Sequence, residues 1–273
     1  MDYIITEPIK SMKGAFSVEG LNVLVTGGNR GLGRGISEAF AECGANICVL
    51  CRKEEVAQTA AAEIAEKYGV EAIGVGCDMG VYEQIIAAQK AVAAKWDHID
   101  VLINNAGIDN HYSIFDDENL QEFKQVLDVN LTGVAAACKA FGQWMMDEKR
   151  GGTIINISSI GGQGLGDPRI NPMPAYNASK AGLDHLTRHL SILFGDYGIR
   201  VNTIAPGLTH SALDADLPPI VNDYVDNTMP AHRFGEPIEI GALAVFLASP
   251  AAQQITGTTI NIDGGIMMTG LTF

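Results

Sequence analysis

A tyrosine and a lysine lie four residues apart in Tyr176-Asn177-Ala178-Ser179-Lys180. On a helix that spacing puts both side chains on one face, one turn apart. A phenol ordinarily ionises near pH ~10. A neighbouring ammonium favours the phenolate and lowers that value. A tyrosine so activated can exchange a proton with an alcohol near neutral pH. Taken alone, Tyr-x-x-x-Lys is a common helix-surface pattern. Here Asn156-Ile157-Ser158-Ser159-Ile160-Gly161 closes an apolar run shortly before it. Ser159 at that end can hold a substrate oxygen. A serine-hydrolase reading fails because the G-x-S-x-G elbow is missing, with Ile at position 157. No HExxH and no Cys/His cluster has ligand spacing, so no metal is expected. His185 and His189 are four apart but lack a third ligand.

The second chemical feature is the turn Thr26-Gly27-Gly28-Asn29-Arg30-Gly31-Leu32-Gly33. It follows an apolar run and opens an amphipathic one, the setting of a dinucleotide fingerprint. Its glycines let backbone approach a pyrophosphate, and the helix that follows offers free N–H groups and a positive dipole end. A P-loop is excluded, since no Lys-Ser or Lys-Thr follows the last glycine. NAD sites usually carry an acidic residue at the end of the second strand. This chain has Cys51-Arg52-Lys53 there. Arg52 and Arg30 without a carboxylate suit a 2′-phosphate, so NADP(H) is expected over NAD(H), which is not excluded.

The elements that must position these residues are legible as alternating runs. Val23–Thr26, Asn46–Cys51, Glu71–Cys77, Val101–Asn104, Thr153–Ile157, Arg200–Ile204 and Thr258–Ile262 read as seven strands. They are too uniformly apolar to have one wet face. Gly33–Cys43, Glu54–Tyr68, Val81–Lys95, Leu120–Met146, Ala175–Phe194 and Glu236–Leu247 read as helices. The alternation predicts an α/β, Rossmann-type, doubly wound parallel sheet with helices on both faces, in a single domain at 16–273. Segments 161–174, rich in Gly and Pro, and 209–234, rich in Asp and Pro, break the alternation and are candidate substrate loops. Residues 1–15 form an extension without a motif, expected to pack on a neighbouring subunit or to fray.

Composition bounds the partners. The 273 residues are 47% hydrophobic and 18% charged, with a net charge of −14. Such a chain builds a sizeable core and repels nucleic acid and anionic membranes. Met1–Phe16 lacks the features of a secretory signal, and no apolar run approaches a membrane span, so a cytoplasmic protein is expected. The cysteines are five and scattered, which argues against a disulfide framework. Cys48 and Cys51 have CxxC spacing, but on a strand they face opposite sides and cannot share a metal or a bridge.

Together TGGNRGLG at 26–33, Cys77-Asp78, Asn104-Asn105-Ala106-Gly107, DVNLTG around Asn130, INISS at 155–159, YNASK at 176–180, Pro206-Gly207 and Asp263-Gly264-Gly265 resemble the short-chain dehydrogenase/reductase family. The resemblance covers about Phe16 to Met268, in the common single-domain branch. It implies an alcohol dehydrogenase or carbonyl reductase that acts on a small-molecule alcohol or ketone. Tyr176 would be the proton donor or acceptor, and Lys180 would hold the nicotinamide ribose and lower the tyrosine's pKa. Ser159 rather than Ser158 would position the substrate oxygen, and Asn130 would fix a relay water. Gly27, Asn29, Arg30, Gly31, Leu32, Gly33, Arg52, Asp78, Met79, Asn105, Ala106 and Gly107 would line the cofactor. Pro206, Gly207, Thr209 and Ser211 would pass beside the nicotinamide; Ser211 stands for the usual threonine. A homodimer or homotetramer is usual.

The stretch from Ser159 to Tyr176 is longer than in many members, and Asn171-Pro172 resembles an element of mannitol dehydrogenases and sorbose reductases. That suggests a sugar, polyol or keto-sugar substrate. A hydroxysteroid would instead use Met173, Leu213, Leu217, Pro218, Tyr224 and Met229. Asn171, Gln163, Asp109, His111 and His210 are the polar candidates. A 3-ketoacyl reductase would need a basic docking patch, which the net charge disfavours. A non-enzymatic dinucleotide sensor typically loses the Tyr or the Lys, and both are present here.

Overall fold

The seven apolar runs form one parallel sheet. A computed structural model describes residues 4, 6–109, 112–164, 172–210 and 219–269. The strands are β1 (Asn22–Thr26), β2 (Asn46–Cys51), β3 (Ala72–Gly76), β4 (Val101–Asn104), β5 (Gly152–Ile157), β6 (Ile199–Pro206) and β7 (Thr259–Ile262). Their order is β3-β2-β1-β4-β5-β6-β7, with every neighbouring pair parallel. The helices are α1 (Gly31–Glu42), α2 (Glu54–Tyr68), α3 (Tyr82–Ala93), α4 (Gln121–Leu127), α5 (Gly133–Glu148), α6 (Pro174–Gly195), α7 (Pro219–Asn227) and α8 (Pro237–Ala248).

The strand period of two splits the core into two layers. Leu24 packs with Ile85 of α3, Phe141 of α5 and Leu183 of α6. Its neighbours Val23 and Val25 pack with Phe40 of α1, Ile64 of α2 and Leu247 of α8. Both faces are therefore covered, as uniformly apolar strands require. Cys48 lies in the first layer and Cys51 against the second, on opposite faces. All five cysteines are free. The winding reverses between β1 and β4. Connections leave that line in opposite directions, and a crevice opens at the carboxyl ends of the strands.

Three expectations need correction. The run Leu120–Met146 is not one helix. α4 and α5 are separated by a π turn at Asp128–Thr132, and a 3₁₀ turn at Glu118–Leu120 precedes α4. Leu120 has φ +55° and so cannot continue a helix from that turn into α4. At the other end of the π turn, the Met79 carbonyl oxygen lies 2.0 Å from where a Cβ on Gly133 would sit, so only a bare backbone fits that crossing. Segment 209–234 is not wholly irregular, since it contains α7, which begins at Pro219. The extension lies against its own chain: Ile4 N donates to Asp196 O at 3.1 Å, and Ala251 N donates to Ala15 O at 2.8 Å.

Close packing of α2 on β3 needs Gly74. A Cβ there would meet the α2 backbone at Ala57 and Gln58, both at 2.3 Å. The substitution Gly74→Val should destabilise the fold by roughly 1–3 kcal/mol through overpacking. Urea unfolding followed by circular dichroism measures it, and an unchanged midpoint would contradict the packing described.

Candidate active site

The Gly-rich turn is tied to the end of β4 by two side chains. The Thr26 Oγ1 accepts from Asn105 N and Ala106 N, each at 3.0 Å. Asn105 Nδ2 donates back to Thr26 O at 2.9 Å. Asn105 therefore braces the turn from behind. Gly27 has φ +68° and Gly31 φ +54°, the left-handed region glycine tolerates. A Cβ on Gly33 would lie 2.2 Å from Gly27 O and 2.4 Å from Asn105 Nδ2. The first turn of α1 carries no acidic residue and no side-chain cap. Its N–H groups are thus left for an anion. Arg30 and Arg52 are exposed, and both act electrostatically on the Cys51 thiol, so the two guanidiniums converge there. These residues fit a dinucleotide, with cationic groups at the end where a 2′-phosphate belongs.

Asp78 lies further along the same edge, half-buried, and accepts from Gly80 N at 2.9 Å. Met79 beside it is buried. On the other side of the crevice Gly207 N donates to Ile262 O, which places Pro206 and Gly207 at the carboxyl end of β6. Thr209 bridges to Gly235. Ser211 lies outside the described residues, as do His111, Asn171, Leu213, Leu217 and Pro218.

The chemical residues meet where β4, β5 and α6 converge. Ser159 sits just beyond β5, half-buried, hydrogen-bonded to the Tyr176 hydroxyl. Ser158 turns inward instead and donates to Lys180 O at 3.2 Å. Lys180 is 4% exposed, and its Nζ donates to Ile157 O at 2.7 Å. The same Nζ lies 5.5 Å from the centroid of the Tyr176 ring. Gly107 presents bare backbone here: a Cβ on it would sit 3.7 Å from Lys180 Nζ. Asn130, in the π turn, is fully buried. Its Nδ2 donates to Ile108 O at 2.8 Å and to Ser179 Oγ at 3.2 Å, and its Oδ1 accepts from Ile108 N at 2.9 Å. Both side-chain donors of Asn130 are thereby used in clamping the chain after β4. Ser179, which the sequence reading did not single out, links this clamp to α6 by donating to Tyr176 O at 2.7 Å.

Burial pushes the Tyr176 phenol above its ordinary value, Ser159 draws it back, and Asp109 raises it. Burial brings Lys180 itself down to about 8, against the upward pull of Asp184 and Asp109. Asp109 is one of the polar candidates read from the sequence; Asp184 is the charged neighbour of the site that motif reading did not find. For Asp184 a signal existed, since it continues the helical face of Tyr176 and Lys180 by one more turn.

Among the described residues no group of three His, Cys, Asp or Glu side chains could hold a metal, and no helix is long and apolar enough to cross a membrane. His185 and His189 stand edge-on, 5.1 Å apart. Tyr224 and Met229, apolar pocket candidates, are buried in a cluster with Ile160 and Ile266.

Known proteins share this arrangement. The family profile described as enoyl-(acyl carrier protein) reductase matches residues 27–267. The chain is 34% identical over 256 residues to 3beta-hydroxysteroid dehydrogenase 1 of Eggerthella lenta, covering 92% of this chain and 95% of that one. It is 36% identical over 255 residues to D-threitol dehydrogenase of Mycolicibacterium smegmatis, covering 92% and 94%. A crystal structure of a gluconate 5-dehydrogenase from Burkholderia cenocepacia, in complex with NADP and tartrate, superposes with a TM-score of 0.87 at 31% identity, covering 93% of this chain and 98% of that one. Sheet order, glycine cradle and these matches agree, and the chain belongs to the short-chain dehydrogenase/reductase family of NAD(P)-dependent oxidoreductases.

Proposed function

We propose that this protein is an NADP(H)-dependent oxidoreductase that interconverts a secondary alcohol and a ketone, with a sugar, polyol or keto-sugar as substrate. The observation that carries this reading is the convergence of Ser159, Tyr176 and Lys180 at the crevice beside Gly107. Gly27, Asn29, Gly31, Leu32 and Gly33 would hold the pyrophosphate, and Arg30 and Arg52 the 2′-phosphate. Asp78, Met79, Asn105 and Ala106 would flank the adenosine side, with Pro206, Gly207 and Thr209 at the nicotinamide end. When bound, the nicotinamide supplies or accepts the hydride. The chain supplies the proton and the geometry. Ser159 holds the substrate oxygen within reach of the Tyr176 hydroxyl. Tyr176 donates its proton to the oxygen of a ketone, or accepts one from an alcohol. Lys180, with its ammonium fixed by Ile157 O, meets the ribose and offers positive charge below the phenol.

A polyol or keto-sugar is favoured over a hydroxysteroid by what surrounds the site. Tyr224 and Met229 are packed with Ile160 and Ile266, which supports a polar rather than an apolar substrate. Asp109 acts on both Tyr176 and Lys180, so the site carries a carboxylate close to the reacting groups. Gln163, four residues after Ser159, donates its Nε2 to Asn261 Oδ1 at 2.7 Å. One relative named above is a polyol dehydrogenase and the solved neighbour is a gluconate dehydrogenase, which supports the same class. The protein is read as a homodimer or homotetramer. Ile192 and Leu193, 77% and 66% exposed on α6, are suited to pairing with a second copy.

Three outcomes test this reading. Tyr176→Phe should cut kcat/KM by about 10²–10⁴-fold while NADPH binding, followed by its fluorescence, persists; normal turnover would refute the role. Arg30→Ala and Arg52→Ala should each raise the KM for NADPH roughly 10- to 100-fold, as loss of a charged hydrogen bond implies. The KM for NADH should barely move, and a wild-type preference for NADH would overturn the assignment. Lys180 loses its ammonium as pH rises through about 8, while Tyr176 stays protonated beyond the usual phenol range. The kcat/KM for ketone reduction, assayed on polyol-derived ketones and oxosteroids, should therefore be level near neutrality and fall as pH rises through about 8.

A further inference from the structure

Asp184 is a buried carboxylate that the proposed reaction does not use. It is 5% exposed, and its Oδ1 has no hydrogen-bond partner. A buried carboxylate oxygen left bare is strongly unfavourable unless positive charge lies close by. Two cations lie one helical turn to either side, Lys180 before it and Arg188 after it, and both act on its carboxylate. Ser158 also acts on it, but that hydroxyl's one proton is donated to Lys180 O at 3.2 Å. Ser158 directly follows Ile157, whose carbonyl oxygen takes the Lys180 Nζ at 2.7 Å. Ser158 is itself anchored, with its N donating to Ile204 O at 2.8 Å. The Ile157–Ser158 step thus grips the lysine twice, its ammonium through a carbonyl and its backbone through a hydroxyl. The flanking buried positions of α6, Leu183 and Thr187, carry no charge. An apolar residue at 184 would satisfy packing there without any desolvation penalty.

We propose that Asp184 is a positioning residue, which acts through Lys180 by keeping that lysine an ammonium anchored on Ile157 beneath the crevice. The link to catalysis rests on the role proposed for Lys180 above. The charged groups acting on the pair are Asp109, from the segment after β4, and Arg188, on α6 itself. Tyr176 is the titratable group directly over the lysine. Among the described residues β5, β6, α4, α5 and the π turn add no charge that acts on either member.

The test follows the lysine directly, in the full chain labelled with ¹³C at lysine Cε, with the Lys180 signal identified by its loss in Lys180→Met. In the wild type that signal should titrate near pH 8. In Asp184→Asn it should titrate at lower pH, and in Asp184→Glu near the wild-type midpoint. The fall in kcat/KM with pH should move down with it in Asp184→Asn. A midpoint lower by about one pH unit means about fivefold less ammonium, and about fivefold lower kcat/KM, at pH 8. An Asp184→Asn midpoint equal to that of the wild type would overturn the proposal. If that variant does not fold, the reciprocal measurement decides, because coupling between two sites is mutual. The Asp184 carboxyl signal should then titrate at higher pH in Lys180→Met than in the wild type, and no change would overturn the proposal. These signals do not depend on turnover. A shifted Lys180 midpoint together with normal turnover by Tyr176→Phe would leave the coupling standing and remove the oxidoreductase mechanism.

Discussion

The hydrogen bond from Lys180 Nζ to the Ile157 carbonyl is the contact around which the site is arranged. It places a buried cation at the carboxyl end of β5, where the backbone turns from strand to cleft. A charge in that position is unfavourable unless the surroundings answer it. The answer comes from three directions: a carbonyl from β5, the carboxylate of Asp184 one turn further along α6, and the carboxylate of Asp109 after β4. The phenol over the lysine is held by a different partner, Ser159. Acidity at Tyr176 is therefore not a property of the Tyr-Lys pair alone. Within the chain the phenol is pushed up, and the groups around it serve first to fix its position.

That arrangement depends on backbones that approach closely. Gly33, Gly107 and Gly133 each lie where a side chain would strike a neighbour or crowd the site. Gly33 lets α1 start directly behind the turn. Gly133 lets the π turn cross the Met79 carbonyl, which sets Asn130 on Ile108 and so fixes the segment that carries Gly107 past Lys180. The glycine turn, the segment after β4 and the Ser-Tyr-Lys group are thus one connected construction, braced by Thr26, Asn105, Asn130 and Ser179. Their polar atoms are buried and mutually satisfied, which holds the frame in a single geometry.

Much of this was open to reading from residues in order. Strand and helix periods located all seven strands and most helices, because a sheet covered on both faces demands uninterrupted apolar runs. The glycine turn and the four-residue spacing of Tyr176 and Lys180 are local patterns, so the crevice they share was legible as well. What escaped notice were features without a local signature. The π turn inside Leu120–Met146 comes from one carbonyl crossing at Gly133, contributed by a distant segment. α7 hid in a stretch whose Asp and Pro content reads as loop. The two uses of adjacent serines, Ser159 toward the phenol and Ser158 toward Lys180 O, follow from the direction in which the chain leaves β5.

Sequence alone determined the fold class and the family, because periodicity and short motifs are encoded within a few neighbours. Tertiary structure alone decided which charges those residues meet. Lys180 finds a carbonyl and two carboxylates, Tyr176 finds a serine and a carboxylate, and Asn130 finds a backbone segment. Burial and the electric field at a side chain are sums over atoms brought together from distant parts of the chain, and no spacing along the chain contains them.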